Sequence, residues 1–387
     1  MPHWPFGRRE SASVAAVPPG SLVYIEETLR GSMQDLFAAR ERQAQGYTLS
    51  WSGELLQPPA RAVRLLEARF KPYGYTPFLR RDKGGTWVRA VPLATVVERS
   101  RVGINLALFA LTVLSTLAAG CFFASGGAIP FLTFNPLRAP LRLLDGIPFA
   151  ATLLAILATH EFGHYFTAKA YGASVSPPFF IPAPPPIFLF GTLGAVIRMR
   201  SPARDRNSLF DIAVAGPLAG LIVAIPALLV GLRWSYVSVV PPGTGMTFGD
   251  SLLMRLLTYL VFGDIPAGMD VIVHPVALAG WVGLFVTALN LFPVGQLDGG
   301  RIAYALFGPA HRLVSIGTFF ALLALALVTW SPNWVVFAGL VFLLIGFHHA
   351  PPLDDVTPLS KERYAIGIFC LILLVLLIPP VPIAFPE

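Results

Sequence analysis

The sequence predicts an all-α polytopic membrane protein with about six to seven spans, preceded by a small N-terminal α+β soluble domain. Hydrophobic residues make up 55% of the 387 positions and charged residues only 13%, whereas soluble domains carry about 25% charge. Long apolar runs recur from Ile104 onward, and most have the length that a membrane span requires. The residues before Ile104 mix polar and apolar types, as a soluble domain does.

The N-terminal part shows the patterns of a small domain. Residues 1–20 carry Pro and Ser and are predicted to be mobile, while residues 21–101 are predicted to form a soluble cap or interaction domain. The stretch YTLSWSGEL alternates like a strand, and ARAVRLLEARFKPYG has helical spacing. The stretch YTPFLRRDKGGTWVRAVPL then indicates a hairpin with its turn near Lys83-Gly84-Gly85. We expect this domain to carry no chemistry of its own.

Residues 102–387 are predicted to form the membrane domain. About 20 apolar residues are needed to cross the hydrocarbon core, so the sixth predicted span is short, which leaves open whether it fully crosses. An amphipathic segment, Ser251–Gly263, is expected to lie at an interface. The predicted spans are Ile104–Ala124, Ile147–Tyr171, Leu209–Leu232, Pro275–Phe292, Leu313–Trp330, Trp334–Phe347 and Tyr364–Ala384.

The distribution of Lys and Arg predicts an orientation. These residues are concentrated before the first span, after the second, after the fourth and before the seventh, which indicates the cytoplasmic side. The N-terminal domain and the His160 end of the second span should face that side, in an integral protein of the bacterial inner membrane. The net charge of +7 is explained in this way, because the basic residues form no aromatic-laced patch for nucleic acid.

The segment LLAILATHEFGHYFTAKAYG carries the chemistry of a metal site inside an apolar run. His160 and His164 are four residues apart, so on a helix they share one face and can bind one metal ion. Glu161 lies beside the first ligand and can act as a general base. Ionisable groups within a span are costly unless they serve a site. The alternative is that the motif lies at the water-exposed end of the span and has no function.

A second polar segment, GLFVTALNLFPVGQLDGGRIAYALFG, is predicted to lie on the same side of the membrane. Catalytic zinc sites usually have three protein ligands, and the Asp298 carboxylate is a suitable third ligand. The alternative for Asp298 is a helix N-cap. Asn290 lies inside the apolar run, where its amide could donate a hydrogen bond to a developing oxyanion or pack between helices.

Together, HEFGH and the later NLFPVGQLDGG resemble the motifs of the site-2 protease family of intramembrane zinc metalloproteases. The resemblance covers a catalytic core at residues 147–308. It implies one zinc ion per chain with His160, His164 and Asp298 as ligands. It also implies Glu161 as general base and Asn290 as a group that contacts the substrate or the oxyanion.

Other segments are similar to the branch that contains the chloroplast EGY-type proteins and their bacterial relatives. This resemblance implies a short membrane-inserted β-element near the zinc, whose edge binds an unwound substrate. The chain has no insert long enough for a PDZ domain, and no terminal CBS domain is evident. The substrate-binding residues implied are Gly191, Thr192, Leu193, Gly194, Ala195 and Val196.

We therefore expect an intramembrane zinc endopeptidase that cleaves transmembrane or juxtamembrane helices of other proteins. One alternative is a catalytically silent chaperone or scaffold of the same fold that binds membrane helices, which would not need Glu161. Another is a transporter, which would place polar residues along several spans rather than at one depth. The substrate, the trigger and the oligomeric state do not follow from the sequence.

Three further segments have expectations that bear on the site. The Pro-rich segment Phe179–Phe190 is either a re-entrant loop or an ordinary turn. Gly216 and Gly220 are expected to allow close helix contact or a bend. His311 is expected to be a surface residue.

Overall fold

The computed structural model describes residues 19–82, 85–92, 102–126, 140–185, 188–240 and 245–385. These residues form two compact units. The first comprises Met1–Arg99, Ser201–Leu209 and Ala350–Lys361, and the second comprises Ser100–Arg200, Phe210–His349 and Glu362–Glu387. The predicted mobile N-terminus lies almost wholly outside the described residues, as do Lys83 and Gly84 of the predicted hairpin turn.

The first unit has a four-stranded antiparallel sheet in the order β1-β2-β4-β3. The strand, the helix and the hairpin that the sequence patterns predict correspond to β2, α2 and the pair β3–β4. The first unit also contains two helices, α1 and α2. The elements are α1 Pro19–Ser32, β1 Phe37–Gln45, β2 Thr48–Leu55, α2 Pro59–Phe70, β3 Tyr75–Asp82 and β4 Gly85–Pro92.

Helix α2 is held by one apolar face. Val63, Leu66 and Phe70 recur at helical spacing and are buried, in a core that also contains Trp51 of β2. The Arg69 guanidinium donates a hydrogen bond to Asp35 Oδ2 at 2.9 Å and holds the pKa of that exposed carboxyl below its usual range.

Two short segments that are distant in the sequence extend the sheet of the first unit. The Leu79 amide of β3 donates to the Leu353 carbonyl at 2.7 Å, and the Asp354 amide donates to the Arg204 carbonyl at 2.8 Å. Parallel bridges join Leu79 to Asp354 and Asp205 to Asp354. The unit is therefore completed by residues that lie far outside the predicted boundaries 21–101.

The second unit is mostly helical and contains three small two-stranded sheets among its described residues. Its helices are α3 Val102–Ala124, α4 Ile147–Ala170, α5 Arg206–Arg233, α6 Leu252–Phe262, α7 Pro275–Leu291, α8 Asp298–Phe307, α9 His311–Thr329, α10 Pro332–Leu340 and α11 Lys361–Leu377, the first residues of α5 and α11 belonging to the first unit. Its strands are β5 Phe179–Pro182, β6 Thr192–Val196, β7 Tyr236–Val239, β8 Thr247–Phe248, β9 Met269–Ile272 and β10 Ile383–Ala384.

Four helical segments in the described residues are long and apolar enough to cross a membrane: Val102–Ala124, Leu141–Ala170, Arg206–Arg233 and Asp298–Thr329. This confirms the mostly helical class and supports a membrane protein. Three other apolar helices, Leu252–Phe262, Pro275–Leu291 and Pro332–Ile345, are shorter. The finer prediction of about six to seven spans is therefore not established by helix length.

The predicted ends of the later spans differ from the observed helices. Helix α9, His311–Thr329, matches the predicted span Leu313–Trp330 to within two residues, but α8 precedes it almost directly, so that the long apolar segment starts at Asp298. Helix α11 ends at Leu377, because Pro379 and Pro380 cannot donate helical hydrogen bonds. The sixth predicted span breaks into a π turn at Val341–Ile345, which ends at Gly346 with a φ of 72°.

Candidate metal centre

Helix α4 presents His160 and His164 on one buried face. The helix begins with Pro148 in its first turn, a position that Pro favours. The two imidazole Nε2 atoms lie 3.1 Å apart, which is the close approach that the four-residue spacing predicts. Both side chains are buried, although α4 is one of the candidate membrane helices.

Asp298 reaches the same point from the start of α8. Its Oδ2 atom lies 3.1 Å from His164 Nε2 and 3.4 Å from His160 Nε2. The N-cap of α8 is Leu297, and no side-chain hydrogen bond caps this helix. The geometry therefore favours the ligand interpretation of Asp298 over the N-cap interpretation.

The hydrogen bond on the far side of the His164 ring tests whether the site fits a metal ion. His164 Nδ1 lies 2.6 Å from the backbone carbonyl oxygen of Ile212 on α5. A carbonyl oxygen can only accept, so Nδ1 carries a proton, and in the neutral ring Nε2 presents a lone pair. This is the arrangement that fixes the tautomer and orientation of metal-binding histidines. The lone pair points at His160 Nε2 and Asp298 Oδ2, and a cation between them would remove their mutual repulsion.

The distances fit a zinc ion. Tetrahedral zinc with bonds of about 2.0–2.1 Å separates its ligand atoms by about 3.3–3.4 Å. The three separations in this site are 3.1, 3.1 and 3.4 Å. In the described part of the chain, no other group of three or more His, Cys, Asp or Glu side chains is arranged in this way.

Helix α5 can approach the centre because Gly216 lacks a side chain. A Cβ atom at this position would lie 2.1 Å from His164 Nε2, far inside contact distance. At Gly220 a Cβ atom would lie 3.3 Å from His160 Nδ1. The predicted close helix contact at these two glycines is therefore observed, and the neighbour that it accommodates is the histidine pair.

Glu161 is buried beside the histidines. Its carboxylate lies near the backbone amide of Ile197, the residue that follows β6. The carboxylate therefore lies between the metal centre and the end of a strand. A carboxylate is a side chain that can take up and return a proton.

Asn290 projects from α7 toward the same centre. Its Nδ2 atom lies 3.3 Å from His160 Nε2, and the residue is half-buried. The contact joins α7 to α4, as expected if Asn290 packs between helices. It also places an amide donor at the edge of the metal centre, as expected if Asn290 contacts an oxyanion.

The predicted β-element corresponds to β6, which is paired antiparallel with β5. The Pro-rich segment Phe179–Phe190 thus begins with a strand, which neither interpretation of that segment included. Helix α3 anchors this hairpin, because Ser115 Oγ donates to the Gly191 carbonyl at 2.6 Å and Asn105 Nδ2 donates to the Pro178 carbonyl at 3.0 Å.

Two side chains of β6 are exposed, and within the described ranges the strand has β5 as its one strand neighbour. Leu193 is 54% exposed and Val196 is 50% exposed. Of the six predicted substrate-binding residues, Gly191 and Thr192 are buried, while Gly194 and Ala195 are half-buried.

The expectation that His311 is a surface residue is wrong. His311 is only 2% exposed, and its Nε2 atom lies 3.0 Å from Ser315 Oγ on the same helix. The four-residue spacing of His311 and Ser315 could have indicated this pair. The His311 ring lies against Tyr304 and His349, and Ser315 contacts the loop Phe292–Leu297, which no sequence pattern brings to α9.

The comparisons with known proteins agree with the geometry. A family model described as Peptidase family M50 matches residues 148–328. The chain is 33% identical over 298 residues to the probable zinc metalloprotease EGY1, chloroplastic, of Arabidopsis thaliana, covering 72% of this chain and 53% of that protein. It is 32% identical over 253 residues to the probable zinc metalloprotease EGY2, chloroplastic, of the same plant, covering 63% of this chain and 43% of that protein.

These matches confirm the resemblance that the two motifs indicate, and they agree with zinc as the metal. The chain spans about half the length of the curated relatives it matches. No solved structure matches the chain significantly.

Proposed function

We propose that this chain, whose residues 148–328 match Peptidase family M50, is a zinc-dependent endopeptidase that hydrolyses peptide bonds in or near transmembrane helices. The observation that carries the proposal is the convergence of His160, His164 and Asp298 within 4.8 Å, next to the buried carboxylate of Glu161. A carboxylate of this kind is needed for hydrolysis and not for holding a metal ion alone.

The ligand set and the base have separate tasks in the proposed reaction. When bound by His160, His164 and Asp298, zinc supplies Lewis-acid polarisation of the scissile carbonyl. The Glu161 carboxylate takes a proton from the attacking water and later returns it to the leaving nitrogen. Its burial keeps other water away from this exchange.

Asn290 is proposed to stabilise the oxyanion. Its Nδ2 group lies 3.3 Å from His160 Nε2, so an N–H is available beside the place where a scissile carbonyl would bind. Hydrogen-bond donors aimed at developing negative charge are worth several kcal/mol in other hydrolases, roughly 3–4. The half-buried environment strengthens such a bond.

The substrate is proposed to bind as an added strand on β6. The carbonyl groups of a helix are hydrogen-bonded within it, so a helical target must unwind before water can attack one of them. The open edge of β6 offers backbone groups to an extended peptide. Ile197 joins this edge to Glu161, so a peptide paired with β6 would pass beside the base.

The active site is proposed to open toward the cytoplasmic side of the bacterial inner membrane. Lys and Arg accumulate next to the segments that carry His160 and Asp298, in agreement with the positive-inside rule. Residues 21–101 are proposed to act as the cap or interaction domain on that side.

We predict that the purified chain holds one zinc ion, because one set of three ligands is described. Metal analysis after gel filtration in detergent should give about one zinc per chain, and chelation should remove both zinc and peptide cleavage. Added zinc should restore both. A folded, metal-free chain that does not take up added zinc would disprove the metal centre.

We predict that Gly194→Ala impairs cleavage without loss of zinc. Gly194 has a φ of 98°, a conformation that costs other residues about 1–3 kcal/mol, and nothing lies within 4 Å of its Cβ position. The substitution should therefore distort β6 through backbone strain alone. Cleavage of a transmembrane substrate should fall about 10-fold or more, since 1.4 kcal/mol corresponds to a factor of ten.

The matched control is Gly103→Ala on α3, where a Cβ atom also meets nothing within 4 Å and φ is not positive. This variant should cleave and bind zinc like the wild type. If Gly194→Ala cleaves at the wild-type rate, β6 does not pair with substrate in the proposed way.

A further inference from the structure

We infer that Ser315, oriented by His311, is a positioning residue that holds the loop in front of Asp298 and so keeps this carboxylate in the metal centre. The inference rests on the proposed zinc site. Ser315 is 0% exposed and lies on α9, 17 positions after Asp298 in the sequence. Neither residue of this pair contacts the candidate zinc ligands through a described hydrogen bond.

Ser315 Oγ contacts the loop Phe292–Leu297 twice. The Gly295 amide donates to Oγ at 3.2 Å, and Oγ lies 3.3 Å from the Pro293 carbonyl oxygen. On its other side, Oγ lies 3.0 Å from His311 Nε2. One hydroxyl therefore joins Pro293 and Gly295 of this loop to an imidazole four residues back on the same helix.

These three contacts use the whole hydrogen-bonding capacity of the hydroxyl. A serine hydroxyl has one proton and two lone pairs. The Pro293 carbonyl can only accept, so it receives the proton, and the Gly295 amide occupies one lone pair. The other lone pair then accepts from His311 in the tautomer that carries its proton on Nε2. His311 thus fixes the rotation of the hydroxyl, and its burial makes loss of the bond costly.

The loop transmits this position to Asp298 by short contacts. The Leu297 amide donates to the Val294 carbonyl at 3.2 Å, and Leu297 directly precedes Asp298. After the aspartate, Gly300 packs so closely that a Cβ atom there would lie 2.5 Å from the Gly295 carbonyl oxygen. The backbone of Asp298 is therefore flanked by two contacts, one before it and one after it, with the loop that Ser315 binds.

The expected consequence concerns the metal rather than the fold. Ser315→Ala leaves the apolar packing of α9 in place but frees the turn, so Asp298 should hold its position less well. Removal of supporting groups around metal ligands typically lowers affinity by 10- to 100-fold. Because Ser315 acts through the loop, we expect about the lower end, a release of zinc roughly 10-fold faster.

The test measures the transfer of zinc from the full-length, zinc-loaded chain in detergent to a chromogenic chelator. Ser315→Ala should release zinc roughly 10-fold faster than the wild type. His311→Phe keeps a ring beside Tyr304 and His349 and removes the bond to Oγ, so its release should be faster than wild type and slower than Ser315→Ala. Thermal unfolding of the metal-free chains is measured in parallel.

The matched control is Thr318→Ala. Thr318 lies almost one turn further along α9, and its hydroxyl donates to the Val314 carbonyl of its own helix at 2.9 Å. This variant should release zinc like the wild type. A merely structural role of Ser315 would lower the unfolding temperature without changing zinc release beyond this control.

The outcomes separate this inference from the proposed function. If the wild type holds zinc and Ser315→Ala releases it at the wild-type rate, the inference is wrong and the metal centre stands. If the wild type takes up no zinc, both are wrong. Should Ser315→Ala not fold, His311→Phe decides, and unchanged release in that variant overturns the inference.

Discussion

Glu161→Gln should abolish peptide cleavage while the chain keeps its zinc. The substitution retains the shape of a side chain that is 6% exposed but removes its ability to take a proton. General acid–base catalysis contributes about 10²- to 10⁴-fold, so the cleavage rate should fall by that factor. The three ligand side chains are unchanged, so metal analysis should still give the wild-type zinc content.

The measurement compares membrane proteomes of cells that express the wild type or Glu161→Gln. Fragments that end within or beside apolar segments should appear only with the wild type, and their uncut precursors should copurify with the variant. The control is Glu67→Gln, the same chemical change at an exposed position of α2, which should behave like the wild type.

Two results would change the interpretation. Normal cleavage by Glu161→Gln would remove this residue from the role of base. If wild type and variant give the same proteome and the same cellular phenotype, the scaffold function that binds membrane helices without hydrolysis is the better description. The zinc content of the variant distinguishes loss of the base from loss of the metal.

Gly216→Ala should remove zinc almost as effectively as His164→Ala. In a helix interior, Ala is normally favoured over Gly by about 1 kcal/mol. Here the added Cβ atom would lie 2.1 Å from His164 Nε2 and 2.5 Å from two ring carbons. Either the imidazole leaves the centre or α5 moves away and breaks the bond between His164 Nδ1 and the Ile212 carbonyl.

Each of these movements disturbs a ligand directly. Loss of a supporting group alone costs about 10- to 100-fold in metal affinity, so zinc affinity should fall by at least about 100-fold. Competition with a chelator of known affinity measures the effect. The control is Gly317→Ala on α9, another candidate membrane helix, where a Cβ atom meets nothing within 4 Å. Wild-type zinc affinity in Gly216→Ala would show that α5 does not pack against His164 as described.

Local patterns predicted those parts of the fold that depend on neighbouring residues. The apolar stretch before His160 predicted a membrane helix, and α4 lies at Ile147–Ala170. The alternation of residues 47–55 predicted a strand, and β2 lies at Thr48–Leu55. These patterns follow from the periods of the helix and the strand. The end of α11 at Leu377 was missed although Pro379 and Pro380, a sequence signal for a helix end, follow it closely in the sequence.

Parts of the fold that depend on distant residues could not be read in this way. Leu353 and Arg204 join the sheet of the first unit through backbone hydrogen bonds. Backbone groups are the same in every residue, so no side-chain pattern marks these partners. The pairing of β5 with β6 was missed for a related reason, since Pro-rich segments favour loops and turns.

For the site, the sequence alone determined which side chains could bind the metal and which could act as base. The residue types and the spacing of His160, Glu161 and His164, together with the later Asp298, can be read directly from the sequence. The order of the two motifs that contain these residues was enough to relate the chain to a family. Only the tertiary structure decided how these groups are held. The Ile212 carbonyl selects the tautomer of His164, Gly216 makes room for its ring, and Ser315 holds the loop of Asp298. These are contacts of backbone atoms, a missing side chain and one hydroxyl across separate helices, and their effect depends on distance in space rather than on spacing along the chain.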